Sequence, residues 1–194
     1  MHKCGMRYVI PLLTILLAAC QTAPGDVHPR MPQMVVPTDS SDPAQPRDGT
    51  LQQGIEVGEI ALEGAAAGQI GGVGAISRDD LREALINTLA SRGLLAASRP
   101  VHRLDMRITD ATTPTIPGPF ETRITITATY VLRNAQTGTE VWRANEATVA
   151  ERKITSGLPE PVLMERDALE EAIRENIARM LGLLYQREGA LAPL

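Results

Sequence analysis

Cysteine is nearly absent from this chain of 194 residues: Cys4 and Cys20 are the only two, and none follows position 20. A disulfide or a thiolate metal site is thereby excluded from everything beyond it. Histidine is almost as scarce, with His2, His28 and His102. No site with two or three imidazoles can form in the part that looks folded, and a Ser-His-Asp triad would have to use His102 as its base. Lys153 is the only lysine after Lys3, the remaining positive charge being arginine. Beyond residue 19 there are 17 basic and 23 acidic side chains, a net charge of about −6, which argues against the basic stripe of a general nucleic-acid binder. Long apolar runs are also missing. The longest spans residues 8–19 and contains Pro11, well short of the roughly 20 residues a membrane-crossing helix needs.

What is there at the N-terminus is ordered like an export signal. Lys3 and Arg7 precede the apolar stretch, and Leu17-Ala18-Ala19-Cys20 closes it. This tetrapeptide resembles the lipobox of bacterial lipoproteins, in which small residues enter a peptidase site and the cysteine thiol accepts a diacylglycerol. The resemblance implies cleavage before Cys20, acylation of Cys20, and a mature chain starting there. More than one acyl chain is needed for stable anchoring, and such a modification supplies them. Gln21 follows the cysteine where an aspartate often favours retention at the inner membrane. By those sorting rules the expected location is the outer membrane, facing the periplasm.

The chain then divides by composition. Residues 1–19 are the signal, and 20–50 the lipidated cysteine and a tether carrying Pro24, Pro29, Pro32, Pro37, Pro43 and Pro46. Thirty such residues reach at most roughly 90 Å. Met31, Met34, Val35 and Val36 form the tether's one apolar cluster, readable as a docking peptide or as ordinary mobile linker. Residues 51–188 are expected to fold, leaving a tail at 189–194.

Within the folded part, residues 55–62 alternate as a strand whose apolar side chains change face. A glycine-rich loop, 64–75, is expected to be flexible. Ser77 caps a helix with Asp80 three residues on; Leu81, Ala84, Leu85, Thr88 and Leu89 line one face, and Gly93 ends it. Strands follow at about 101–110 and 122–133, the second with Ile124, Ile126, Ala128, Tyr130 and Leu132 on one face. Asn134 to Gly138 reads as a hairpin loop. The return strand, about 139–153, has an uncertain register, and a bulge near Asn145 would reconcile Trp142 and Ala144 with Val149 facing inward. A long helix, about 162–186, carries Leu169, Ala172, Ile173, Ile177, Met180, Leu181 and Leu184 on one stripe and Glu170, Glu171, Arg174, Glu175 and Arg179 toward solvent. The order β-α-β-β-β-α predicts an α+β two-layer sandwich, with both helices on one face of a mostly antiparallel sheet.

Few residues suggest chemistry. Gly72-Val73-Gly74-Ala75-Ile76-Ser77 lies before a helix like a phosphate cradle, but Asp79 and Asp80 repel phosphate and no lysine is near. The adjacent pairs Asp79/Asp80 and Glu170/Glu171 diverge by about 100° on helices and do not share a site. Arg103 and Arg107 share a strand face with Asp105, and Arg123 and Arg133 lie on the polar face of the next strand. They form either a surface for an anionic partner or solvated cross-strand pairs. Trp142 is either an interface anchor or core. No cofactor or metal ligand set is expected.

Several segments together resemble small Gram-negative outer-membrane lipoproteins with a YajG-like or LptE-like α/β domain. They are the lipobox and tether, Leu81-Arg82-Glu83-Ala84-Leu85 through Gly93-Leu94-Leu95, Arg107-Ile108-Thr109-Asp110, and Tyr130-Val131-Leu132-Arg133 leading to Gly138-Thr139-Glu140-Val141-Trp142. LpoB-type synthase activators and the N-terminal domain of TolB share the pattern. The resemblance implies no catalytic residue. The expected function is a non-catalytic accessory that binds an envelope component: a protein, a lipopolysaccharide-type lipid or a cell-wall enzyme, and, given the negative net charge, not nucleic acid. A hydrolase of an envelope polymer and a purely structural spacer are the alternatives.

Overall fold

The computed structural model describes residues 27–38, 51–113, 121–153 and 160–187. The expected signal, the remainder of the expected tether and the C-terminal tail lie outside these. Four strands, β1 (Ile55–Leu62), β2 (His102–Thr112), β3 (Glu121–Asn134) and β4 (Glu140–Lys153), form one sheet in the order β1-β2-β3-β4. The β1–β2 pair is parallel and the other two pairs are antiparallel. Three helices, α1 (Met31–Met34), α2 (Arg78–Ser91) and α3 (Pro161–Arg187), join them. The α+β architecture expected from the sequence is the one found.

The inner face of the sheet is apolar because alternation puts Leu104, Met106, Ile108, Ile124, Ile126, Ala128, Tyr130 and Leu132 on one side, all buried. From α2 come Leu81, Ala84, Leu85 and Leu89; from α3 come Leu169, Ala172, Ile173, Ile177, Met180 and Leu184, every one without exposure. Burying one such side chain contributes about 1.5–3 kcal/mol. Both helices cover the same face, and among the described residues no helix packs on the other face of the sheet.

Local signals operate where they were expected. The Ser77 Oγ accepts the Asp80 amide at 3.2 Å. At the other end of α2, the Leu94 amide donates to Leu89 O and the Gly93 amide to Ala90 O, with Gly93 at φ +67. This is a Schellman closure, and the positive φ favours glycine. In the β3–β4 loop, Asn134 Oδ1 accepts the amides of Gln136 and Thr137, and Gly138 takes φ +70.

Four expectations change. First, residues 27–38 are not a free tether. Met34 is fully buried, Val27 and Val36 nearly so, and α1 packs against both α2 and α3. Backbone groups join in: the Val36 amide donates to Thr88 Oγ1 at 3.1 Å, and Val27 O accepts the Gly74 amide at 2.8 Å. The prolines that erase periodicity also pre-extend a chain that inserts lengthwise against two helices. Second, the glycine-rich loop is built: a short 3-10 helix covers Gly64–Ala67, and Ala66, Ile70, Val73 and Ile76 are buried. Third, Glu170 is 2% exposed and not on a solvent face.

Fourth, no bulge occurs at Asn145. The register runs unbroken from Thr122↔Arg152 through Thr129↔Asn145 to Leu132↔Trp142, and the shift falls after it, where Arg133 pairs with Glu140 and Val141 is passed over. Thr148 therefore faces inward and Val149 outward. The reason is polar. Thr148 Oγ1 donates to Ala172 O at 2.8 Å, which fastens β4 to α3 and takes the inward position a valine was expected to hold. A real bulge sits in β1, where Gly58 and Glu59 together oppose Asp105 and shift the inward set from Ile55 to Ile60 and Leu62.

Candidate functional site

The open face of the sheet gathers three of the arginines singled out above. Arg103 and Arg133 lie directly opposite one another on β2 and β3. Two like charges so placed repel, and Asp105 resolves it: its Oδ1 is 3.5 Å from Arg103 Nε and its Oδ2 is 3.1 Å from Arg133 Nε. The same Oδ1 accepts the Glu59 amide at 2.8 Å, closing the β1 bulge. Gly58 fits closely there: a Cβ would collide with Asp105 Oδ1 and lie 2.7 Å from Arg103 Cγ, so both side chains would have to shift. Arg107 pairs with Glu63 at 2.8 Å, and Arg143 with Glu140 at 2.7 Å. The Glu140 carboxyl is held below its ordinary pKa by hydrogen bonding to Arg143, and Arg143 is raised in turn. A shallow groove of about 360 Å³ runs across this face, floored by Thr109, Thr129 and Val131 and edged by Glu59, Glu63, Arg107, Arg133 and Arg143.

Arg123 is not part of this cluster. It stands near the far end of β3, paired with Glu151 and with Glu121 at 3.8 Å. Trp142 is on the other side of the sheet, 4% exposed, in the core. It is no anchor on the arginine face, because the strand register turns it inward. The five residues thus separate into a cluster of three, one distant ion pair and one core residue. Alternation could not find Arg143 as a groove residue, since the position of the β4 bulge decides which way it points.

His102 is buried at the start of β2, with its Nδ1 lacking a partner. Burial lowers its pKa, opposed by a hydrogen bond to the Arg133 backbone. It faces the core and not the groove. Among the described residues, no three His, Cys, Asp or Glu side chains come together to hold a metal.

Two buried polar assemblies escaped the sequence reading. Asn176 lies on the apolar stripe of α3, fully buried. Its Oδ1 accepts the Tyr130 hydroxyl at 2.9 Å, and its Nδ2 lies 3.3 Å from Ile126 O, 3.1 Å from Glu146 O and 3.2 Å from Thr148 Oγ1. Burial pushes the Tyr130 hydroxyl pKa upward, with the Glu146 charge adding to it, so the ring stays neutral. Glu170 is held by Arg30: Nε at 3.0 Å, Nη2 at 2.8 Å and the backbone amide at 2.7 Å. Close by, Glu165 Oε2 accepts the Gly72 amide at 2.6 Å. The glycine-rich loop thus presents an amide to a carboxylate of its own chain. An asparagine inside an apolar stripe is the one signal that could have revealed the first assembly.

No family model matches the chain, and no curated protein does. Among solved structures, the protein XCC0632 from Xanthomonas campestris, of the DUF330 family, is similar with a TM-score of 0.56 at 14% identity, over 84% of this chain and 94% of that one. That likeness shows a shared fold. A minor lipoprotein from Acinetobacter baumannii is similar at TM-score 0.41 and 14% identity, over 68% of this chain and 90% of its own. PelC from Paraburkholderia phytofirmans, a dodecamer, is similar at 0.42 and 16%, over 68% and 92%. These two are too distant to carry an argument.

Proposed function

We propose that the chain is a lipid-anchored lipoprotein of the bacterial envelope, at the outer membrane and facing the periplasm, that acts as a non-catalytic binding accessory through the open face of its sheet. The observation that carries this is the docking of residues 27–38 so soon after the lipobox cysteine. Cys20 and Val27 are seven positions apart, a reach of at most about 25 Å. The acyl chains on Cys20 would therefore hold the domain close against the bilayer, and a 90 Å leash is not available. Residues 27–38 pack on the helix layer, so the helices would face the membrane and the open sheet face would point away from it.

The chemistry of that face suits recognition. Its charges are of both signs, each arginine has a carboxylate partner, and the groove is shallow. A partner with its own mixed charge can exchange these exposed pairs at small cost. A hydrolase would need a general acid or base free to act in a cleft, whereas Asp105 and Glu63 on this face are taken up in ion pairs with Arg103, Arg133 and Arg107. Among the described residues no helix is long and apolar enough to cross a membrane.

The test uses a photo-crosslinking amino acid at Thr129, on the groove floor, and at Arg179, on the outer side of α3, in cells carrying the full chain. The reading expects one discrete envelope partner captured from Thr129 and not from Arg179. Equal capture from both, or capture from Arg179 alone, would contradict it.

A further inference from the structure

The two edges of the sheet are finished differently. The β1 edge is closed: the Ile55 amide donates to Leu94 O, the Ala96 amide to Ile55 O, and Arg82 Nη1 to Val57 O at 3.0 Å, with the Gly58 bulge beyond. Such covering and bulging are how proteins blunt an edge. Among the described residues the β4 edge has no such cover, and its one bulge, at Val141, lies at the very start of the strand. β4 is 14 residues long, contains no proline, and is regular from Trp142 to Lys153. Among the described residues no strand pairs with its outer edge.

The direction of its free groups follows from Asn176. Its Nδ2 reaches both Ile126 O and Glu146 O, so these carbonyls lie in the gap between β3 and β4. Alternation then aims the amides and carbonyls of Arg143, Asn145, Ala147, Val149 and Glu151 away from β3, toward the open edge. These same residues carry a pattern that is symmetric about Ala147. Four positions before it is Arg143, and four after it is Glu151; Ala144 and Ala150 stand three on either side.

We infer that the β4 edge pairs antiparallel with β4 of a second copy of this chain, with Ala147 opposite Ala147, making one continuous eight-stranded sheet. In that register Arg143 of each copy faces Glu151 of the other, so two opposite-charge pairs form by symmetry. Asn145 faces Val149, and the alanines let the strands approach without a clash. Moving the register by two residues in one direction places Arg143 against Lys153, and in the other places Glu146 against Glu146, so charge selects the Ala147 register. The two-fold axis stands perpendicular to the sheet. It leaves both helix layers on one side and both open faces on the other, so residues 27–38 of the two copies lie on the same side and both anchors can enter one membrane. The pairing itself does not depend on the anchor.

The experiment introduces Ala147→Cys into the full chain, expressed with its own N-terminus, and oxidises isolated membranes. The chain without the new cysteine controls for any free Cys20 thiol. Thr127→Cys, one strand further in on the same face, controls for random collision. The expected result is a disulfide-linked homodimer from Ala147→Cys and from neither control. Arg143→Glu should reduce the yield roughly tenfold by setting like charges opposite each other twice, and adding Glu151→Arg should restore it. No dimer from Ala147→Cys, a crosslink only to a different protein, or a yield indifferent to the charge reversal would overturn the proposal. None of those results would bear on whether the open face binds an envelope partner.

Discussion

Arg30 and Glu170, 140 residues apart in sequence, are joined by three hydrogen bonds to one buried carboxylate. Two of them come from the guanidinium as a fork, a geometry arginine provides and lysine does not. Arg166 is 3.7 Å away on the same helix, so Glu170 keeps a weak second cation. The pair is one of the ties that hold residues 27–38 on the domain, beside the burial of Met34 and Val36, and it is asymmetric. The Glu170 side chain is 3% exposed and that of Arg30 is 48% exposed.

That asymmetry gives the first prediction. Arg30→Ala strands a buried charge and should cost about 3 kcal/mol. Glu170→Gln leaves a half-exposed guanidinium that keeps Asp167 at 3.0 Å as well as water, and should cost about 1–2 kcal/mol. Urea unfolding of the two variants of the mature chain checks the order. If Glu170→Gln were the more damaging, the buried-charge account would fail.

A second prediction concerns the boundary. A chain beginning at residue 51 lacks Met34 and Val36 and leaves Glu170 without Arg30. It should unfold at a lower urea midpoint than a chain beginning at residue 21, by about 3–5 kcal/mol in stability. Equal midpoints would mean that the docked segment adds nothing to the fold.

The contrast between these two regions shows what the sequence could convey. Strand limits were legible to within a residue or two because alternation at Leu104, Met106 and Ile108, or at Ile124, Ile126 and Ala128, reports a face directly. The α2 ends were legible because Ser77 and Gly93 act on their own neighbours. Residues 27–38 were not, since their burial depends on a groove made by α2 and α3, far along the chain. Glu170 was misread beside Glu171 because its partner is equally remote. Arg103, Arg107 and Arg133 were placed on the right face, while Trp142 was left open between two roles because one skipped residue, Val141, sets the inward parity of β4.

Asn176 yields a third prediction. Asn176→Leu fills the space but leaves the Tyr130 hydroxyl and the Thr148 hydroxyl without this partner, and should cost about 2–4 kcal/mol. Tyr130→Phe in the same background should then cost less than it does alone, since the hydroxyl it removes is already unpaired. A double-mutant cycle by urea unfolding measures the coupling; strict additivity would contradict the network.

The fourth prediction is a pH dependence. Burial lowers the His102 pKa in the folded chain relative to the ordinary value near 6.5. Below that value the unfolded chain binds a proton the folded one resists, so this residue makes stability fall as pH drops through about 6.5 and level off below the folded pKa. Above it the penalty is absent. His102→Gln should flatten that part of the stability profile between about pH 5 and 7.5. A profile unchanged by the substitution would mean His102 is solvated.

In the proposed function, lipid on Cys20 holds this domain at a membrane. The most direct measurement is the mass of the N-terminal peptide of the chain purified from the membranes of cells that make it. The expected species is a chain starting at Cys20, with acyl groups on its thiol and amine. An unmodified Cys20, or a chain still carrying residues 1–19, would contradict it.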